Sequence, residues 1–88
     1  MARPDVTREE LNAAMLELKH NLERRLKQHG HGALASSHEI LGILTEEMDE
    51  FTDEVKANDP NKQKDELMDI AVGAIFGYVS IATGKVEW

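Results

Sequence analysis

The chain contains no cysteine, only two prolines and four aromatic residues in 88 positions. Without cysteine there is no disulfide staple and no thiolate metal site. Neither proline interrupts a long stretch, so nothing breaks a helix from within. Basic residues are outnumbered, ten Lys and Arg against seventeen Asp and Glu, for a net charge of −7. That balance argues against a nucleic-acid partner, which asks for a basic stripe, and suits a protein that binds cations. Long apolar runs are missing too. The N-terminal ten residues contain none, so no signal peptide is expected. The most apolar stretch, Leu67 to Ala82, holds two glycines and falls short of the ~20 apolar residues that cross a membrane. A cytoplasmic protein with no membrane partner is the expectation.

Three helices account for the sequence, and no strand alternation is present. Thr7 with Glu10 forms a capping box. Leu11, Met15, Leu18, Leu22 and Leu26 then recur at helical spacing until Gly30 and Gly32. Ser36 with Glu39 opens a second helix, whose stripe is Leu41, Leu44, Met48, Phe51 and Val55. Asp59 and Pro60 read as N-cap and first residue of a third, which ends near Thr83 and Gly84. The fold class is therefore all-α: one domain over residues 1–88, with 1–6 as a disordered arm and 36–84 carrying the chemistry. Eighty-eight residues make a small core. The third helix is apolar nearly all round, which calls for cover on several sides. A second copy is expected to complete a four-helix-type bundle, with Gly73 and Gly77 allowing close backbone approach. Phe51, Phe76 and Tyr78 are read as packing residues, Phe76 at a subunit interface. Trp88 is read as a cap on the dimer core.

The chemistry concentrates in ILTEEMDEFTDEV, residues 43–55. At about 100° per residue, Glu46, Asp49 and Asp53 fall on the solvent side of the second helix. Glu47, Glu50 and Glu54 share a column with Ile40 and Ile43, at the edge of the packed face. The third helix offers Glu66 and Asp69, again three residues apart. Carboxylates at that spacing repel, and burying them without partners is costly. From spacing alone, two readings stand: a solvated or salt-bridged seam, or a site for a divalent cation. Carboxylate ligation suits Mg²⁺ or Mn²⁺.

At these residues the sequence resembles the MazG-like all-α nucleoside triphosphate pyrophosphohydrolases. The pattern EExxE, a gap, then ExxD reads here as Glu46-Glu47-Met48-Asp49-Glu50, fifteen residues, and Glu66-Leu67-Met68-Asp69. The resemblance spans about Ser36 to Ala82. It implies Mg²⁺-dependent cleavage of a nucleoside triphosphate to the monophosphate and pyrophosphate, with Glu47, Glu50, Glu66 and Asp69 as metal ligands. Glu47 or Glu50 would take the proton of the attacking water. Removal of non-standard or surplus nucleotides is the biological role it implies, in a homodimer or homotetramer. Where members of the family often carry an aromatic residue, four positions after the aspartate, this chain has Gly73. Phosphate contacts are therefore expected from elsewhere. Arg24, Arg25 and Lys27 of the first helix are the candidates, reaching a nucleotide held by a neighbouring protomer. The plainer reading of the three is pairing with Glu17 and Glu23 on an exposed helix. Glu17 and His20 resemble half of a di-iron motif but point to solvent. Two rival readings remain: a phosphoribosyl-ATP pyrophosphohydrolase, and a non-catalytic helical homo-oligomer with an acidic cation-binding seam.

Overall fold

The computed structural model describes residues 2–87, so Trp88 lies outside the described residues. Three helices follow one another: α1 (Arg8–His29), α2 (Ser37–Lys56) and α3 (Pro60–Ala82). Residues 2–6 are exposed and lie outside any helix.

Each boundary has a local cause. The Thr7 hydroxyl accepts from the Glu10 N–H, and the Glu10 carboxylate accepts from the Thr7 N–H, a complete capping box. Those bonds hold the Glu10 carboxyl below its usual pKa. Gly30, at φ +79°, turns the chain out of α1. Ser36 caps α2 through the Glu39 N–H, but Glu39 reaches one residue further back than a capping box does and accepts from the Ala35 N–H. Asp59 caps α3 through the Lys62 N–H, and Pro60 follows it. Between α2 and α3 the turn passes through Asn58 at φ +55°, a left-handed conformation that asparagine tolerates better than most residues. The Gln63 side chain donates to the Glu54 carbonyl, meeting one of the acceptors left over at the end of α2.

α3 is the middle helix. α2 packs antiparallel along it, α1 touches it over a shorter stretch, and the backbones of α1 and α2 are not in direct contact. The α2–α3 contact rests on glycine. A Cβ at Gly77 would meet Ile40 Cγ2 at 3.0 Å, and one at Gly73 would meet Ile43 Cγ2 and Leu44 Cδ2 at 3.7 Å. These glycines therefore admit α2 of the same chain, not the second copy expected for them. Their ridge selects the isoleucine column of α2, which turns Leu41, Met48 and Val55 of the expected stripe away from α3. Leu44 and Phe51 are half-buried. Leu41, Met48 and Val55 are 63 %, 48 % and 46 % exposed.

α1 is held through its second half. Leu18, Leu22 and Leu26 are half-buried, whereas Leu11 and Met15 at its start are exposed. The Arg25 guanidinium lies 3.9 Å from the centre of the Phe76 ring, a cation–π contact worth about 0.5–1 kcal/mol near the surface. Phe76 thus packs within the chain. Tyr78, expected to pack, is 67 % exposed. It falls on the side of α3 that neither α1 nor α2 covers.

The loop between α1 and α2 is tied to the end of α3. The buried Leu34 N–H donates to the Ser80 hydroxyl, which donates in turn to the Phe76 carbonyl. The Glu87 N–H donates to the Ala35 carbonyl at 2.7 Å. Among the described residues, Leu34 and Val72 are the buried hydrophobic ones.

So small a core leaves the chain open. A compact folded chain of this mass exposes about 5,200 Å²; this one exposes 6977 Å². Its radius of gyration is 14.9 Å, against about 12 Å for a compact domain of the same length. None of the helices is long and apolar enough to cross a membrane among the described residues.

Candidate functional site

The antiparallel seam of α2 and α3 has two halves. Toward the start of α2 it is apolar and glycine-rich. One turn further on, the isoleucine column becomes Glu47, and the facing positions of α3 become Asp69 and Glu66. A helix repeats a face every three to four residues, so the close approach set by Ile40 and Ile43 on the glycines carries Glu47 onto α3 as well.

Glu47, Glu66 and Asp69 each offer a carboxylate oxygen, and these oxygens all lie within 4.8 Å of one another. Glu47 and Glu66 are half-buried and Asp69 is exposed. For both glutamates the Oε2 atom is shut off from solvent and has no hydrogen-bond partner. Buried polar atoms normally have one, and leaving an acceptor unmet costs on the order of 1–3 kcal/mol.

Charge accounts for the rest. Burial pushes the Glu47 carboxyl above the usual carboxylate range, and the charges of Glu50, Asp69 and Glu46 add to it. Burial also raises Glu66, and its contact with Glu47 raises it further while lowering Glu47. Glu50 is exposed and is raised chiefly by its contact with Glu66. Asp69 is raised by burial and by the charge of Asp65, with Arg24 pulling the other way. Acid meets acid across this half of the seam, and no hydrogen bond relieves the two enclosed oxygens. The donor set is all carboxylate oxygen, the hard-ligand chemistry of Mg²⁺ or Mn²⁺, and a cation between the three would satisfy both orphaned atoms. The residues present fit such an ion.

Of the four ligands expected, three converge. Glu50 stands at the edge, against Glu66 but outside the group of mutually close oxygens. Glu46, Asp49 and Asp53 are exposed, as their place on the helix requires. Glu54 is half-buried at the far end of the seam.

The three basic candidates of α1 separate. Arg24 and Arg25 line a groove of about 330 Å³ between α1 and α2, together with Glu47 and Asp69. Arg24 also lines a groove of about 480 Å³ between α1 and the start of α3. Lys27 is exposed and lines neither. Arg24 thus flanks the carboxylates of its own chain, whereas the expectation had it serve a neighbour's. Sequence reasoning missed Asn21, which borders both grooves. The signal was there: Glu17, Asn21, Arg24 and Gln28 recur at steps of four and three, a polar stripe beside the leucine stripe. His29 lines the smaller groove, and Glu17 and Lys64 the larger.

Comparison with protein-family models, with curated proteins and with solved structures finds no match to this chain.

Proposed function

We propose that the chain is a Mg²⁺-dependent nucleoside triphosphate pyrophosphohydrolase acting as a homo-oligomer, dimer or tetramer. The observation that carries this reading is the cluster of Glu47, Glu66 and Asp69, with oxygens within 4.8 Å and two enclosed atoms lacking partners. It is supported by the order of the acidic residues, EExxE then ExxD on paired helices, which resembles the MazG-like enzymes.

Glu47, Glu66 and Asp69 would hold the ion, with Glu50 as a fourth, outer ligand or as the proton acceptor. A bound Mg²⁺ neutralises charge on phosphate oxygens and acidifies and orients water for attack on phosphorus. The protein's part is positioning and proton transfer. Glu50 is exposed at the edge of the cluster, where a carboxylate can accept a proton from water. That favours Glu50 over Glu47, whose free oxygen is enclosed. The proton leaves the water for the Glu50 carboxylate, the water oxygen bonds to the α-phosphorus, and pyrophosphate departs with the electrons of the broken anhydride bond. Clearance of surplus or non-standard nucleotides is the role that goes with this activity.

Surface area supports the oligomer. The chain exposes about 1,800 Å² more than a compact monomer of its mass. Covering that on two copies buries about 3,600 Å², in the class of obligate homodimers. Leu41, Met48 and Val55 of α2 and Leu67, Tyr78, Val79 and Ile81 of α3 are among the exposed apolar residues to be covered.

The test is pyrophosphate release from a panel of canonical and modified nucleoside triphosphates, with Mg²⁺ and with EDTA. Release that needs Mg²⁺ and favours one or two nucleotides is expected. A folded, oligomeric protein that releases none from any of them would leave a cation-binding helical bundle and end the catalytic reading.

A further inference from the structure

Two grooves open on the α1 side of α3, and they share an edge. Asn21, Arg24 and Asp69 line both. The larger groove places Arg24 and Lys64 among Glu17, Asp65 and Asp69, so it carries one net negative charge. The smaller, between α1 and α2, sets Arg24 and Arg25 against Glu47 and Asp69, so its formal charges cancel. A divalent ion on the carboxylates would make the smaller groove doubly positive. Its volume, about 330 Å³, lies at the low end for small-molecule sites. It suits a phosphate chain better than a whole nucleotide.

The cations of α1 are not equivalent there. Arg25 is stacked on Phe76 at 3.9 Å, and moving it would uncover the ring. Lys27 lines neither groove. Arg24 is exposed and lines both grooves beside Asp69. A guanidinium offers paired N–H groups that match two oxygens of a phosphate.

We propose that the groove between α1 and α2 receives the polyphosphate chain, and that Arg24, at the shared edge of both grooves, is its anchor within the same protomer. Arg25 is a structural clamp on Phe76, and Lys27 takes no part. This rests on the reading of the acidic cluster as a Mg²⁺ site. It departs from the expectation that the three cations act alike and across a subunit boundary.

The experiment is calorimetric titration of the full chain with Mg²⁺, and then with tripolyphosphate in the presence of Mg²⁺. The proteins compared are the wild type, Arg24→Gln, Arg24→Lys and Lys27→Gln, each checked for helix content. Expected is Mg²⁺-supported tripolyphosphate binding that weakens tenfold or more in Arg24→Gln. Arg24→Lys should recover part of it, and Lys27→Gln should stay within twofold of wild type. Mg²⁺ alone should bind Arg24→Gln as tightly as wild type or more tightly, since a repelling charge is gone. Arg24→Gln binding tripolyphosphate like wild type overturns the inference. So does a parallel loss of Mg²⁺ and tripolyphosphate, which would make Arg24 a prop for the cluster. A wild type that binds Mg²⁺ but no tripolyphosphate overturns the inference and leaves the cluster reading standing. Binding of neither overturns both.

Discussion

The two halves of the α2–α3 seam are built on the same column of α2 and behave in opposite ways. Near Ile40 and Ile43 the helices meet through methyl groups on glycine, and the contact is its own reward: apolar area leaves water and nothing polar is stranded. One turn on, the same approach forces Glu47 onto Glu66 and Asp69, encloses two oxygens without partners and raises every carboxyl involved. The first half can hold the second together because it needs nothing else. The second is unfavourable as it stands and becomes favourable only with a cation or with protons. A fold that keeps both uses the stability of one to maintain the readiness of the other, a common arrangement where residues are held for function.

The contrast can be broken most severely at its acidic end. Glu50→Gln should lower pyrophosphate release by about 10²-fold or more, the range for losing a general base, with helix content unchanged. Circular dichroism beside the release assay would show this, and undiminished turnover would remove Glu50 from the proton-accepting role. The next effect is on stability. Mg²⁺ at 100 times its Kd should add about 2.7 kcal/mol, roughly 10 °C or more in Tm for a domain of this size. Glu66→Gln should lose most of that gain in a thermal melt. If the gain survives the substitution, the ion is elsewhere.

Acidity should imitate the metal. The carboxyls of Glu47, Glu66 and Asp69 titrate above the usual range in the folded chain, so that chain binds protons more readily than the unfolded one. Stability without metal should rise as pH falls from neutral toward the usual carboxylate range and fall again as pH climbs through the raised values. Melts in EDTA across that window should show the slope. With saturating Mg²⁺ it should flatten or reverse, because protons now compete with the ion.

The smallest effects lie in the glycine half and distinguish its two positions. Gly73→Ala adds a methyl group at ordinary contact distance, 3.7 Å from Ile43 and Leu44. It should gain up to about 1 kcal/mol from helix propensity. Gly77→Ala puts the methyl 3.0 Å from Ile40 Cγ2, so Ile40 must yield and the gain should vanish or change sign. Equal melting points for the two would mean that the seam is looser than its distances.

Helix boundaries were legible in the sequence because each has a local chemical cause: Thr7, Ser36 and Asp59 each accept the bond that their type and place foretell. The convergence of Glu47, Glu66 and Asp69 was legible as well, since it needs only the helical repeat and an antiparallel partner. The rotation of α2 was not. A helical wheel centres on the richest apolar stripe, and Leu41, Met48 and Val55 outvote Ile40 and Ile43. Which column meets α3 is decided by the fit of isoleucine to glycine, and that fit has no signature within α2 itself. Tyr78 lies outside the core of the single chain for a related reason. Apolar character all round α3 says that cover is needed, not which side this chain supplies. The division of Arg24, Arg25 and Lys27 was hidden because neighbours in sequence sit about 100° apart on a helix. The ring of Phe76 captures one of them.

The brevity of the α2–α3 turn has a kinetic consequence. Three residues, 57–59, separate the two helices, and the carboxylates of the cluster come from positions 47 to 69. Closing so short a loop costs little chain entropy, and contacts between near neighbours form early. The site therefore belongs to a hairpin that can assemble before α1 docks. A metal ion present during synthesis would meet its ligands on a half-folded chain and fasten the hairpin. For this protein the ion would then be a guide to folding before it served anything else.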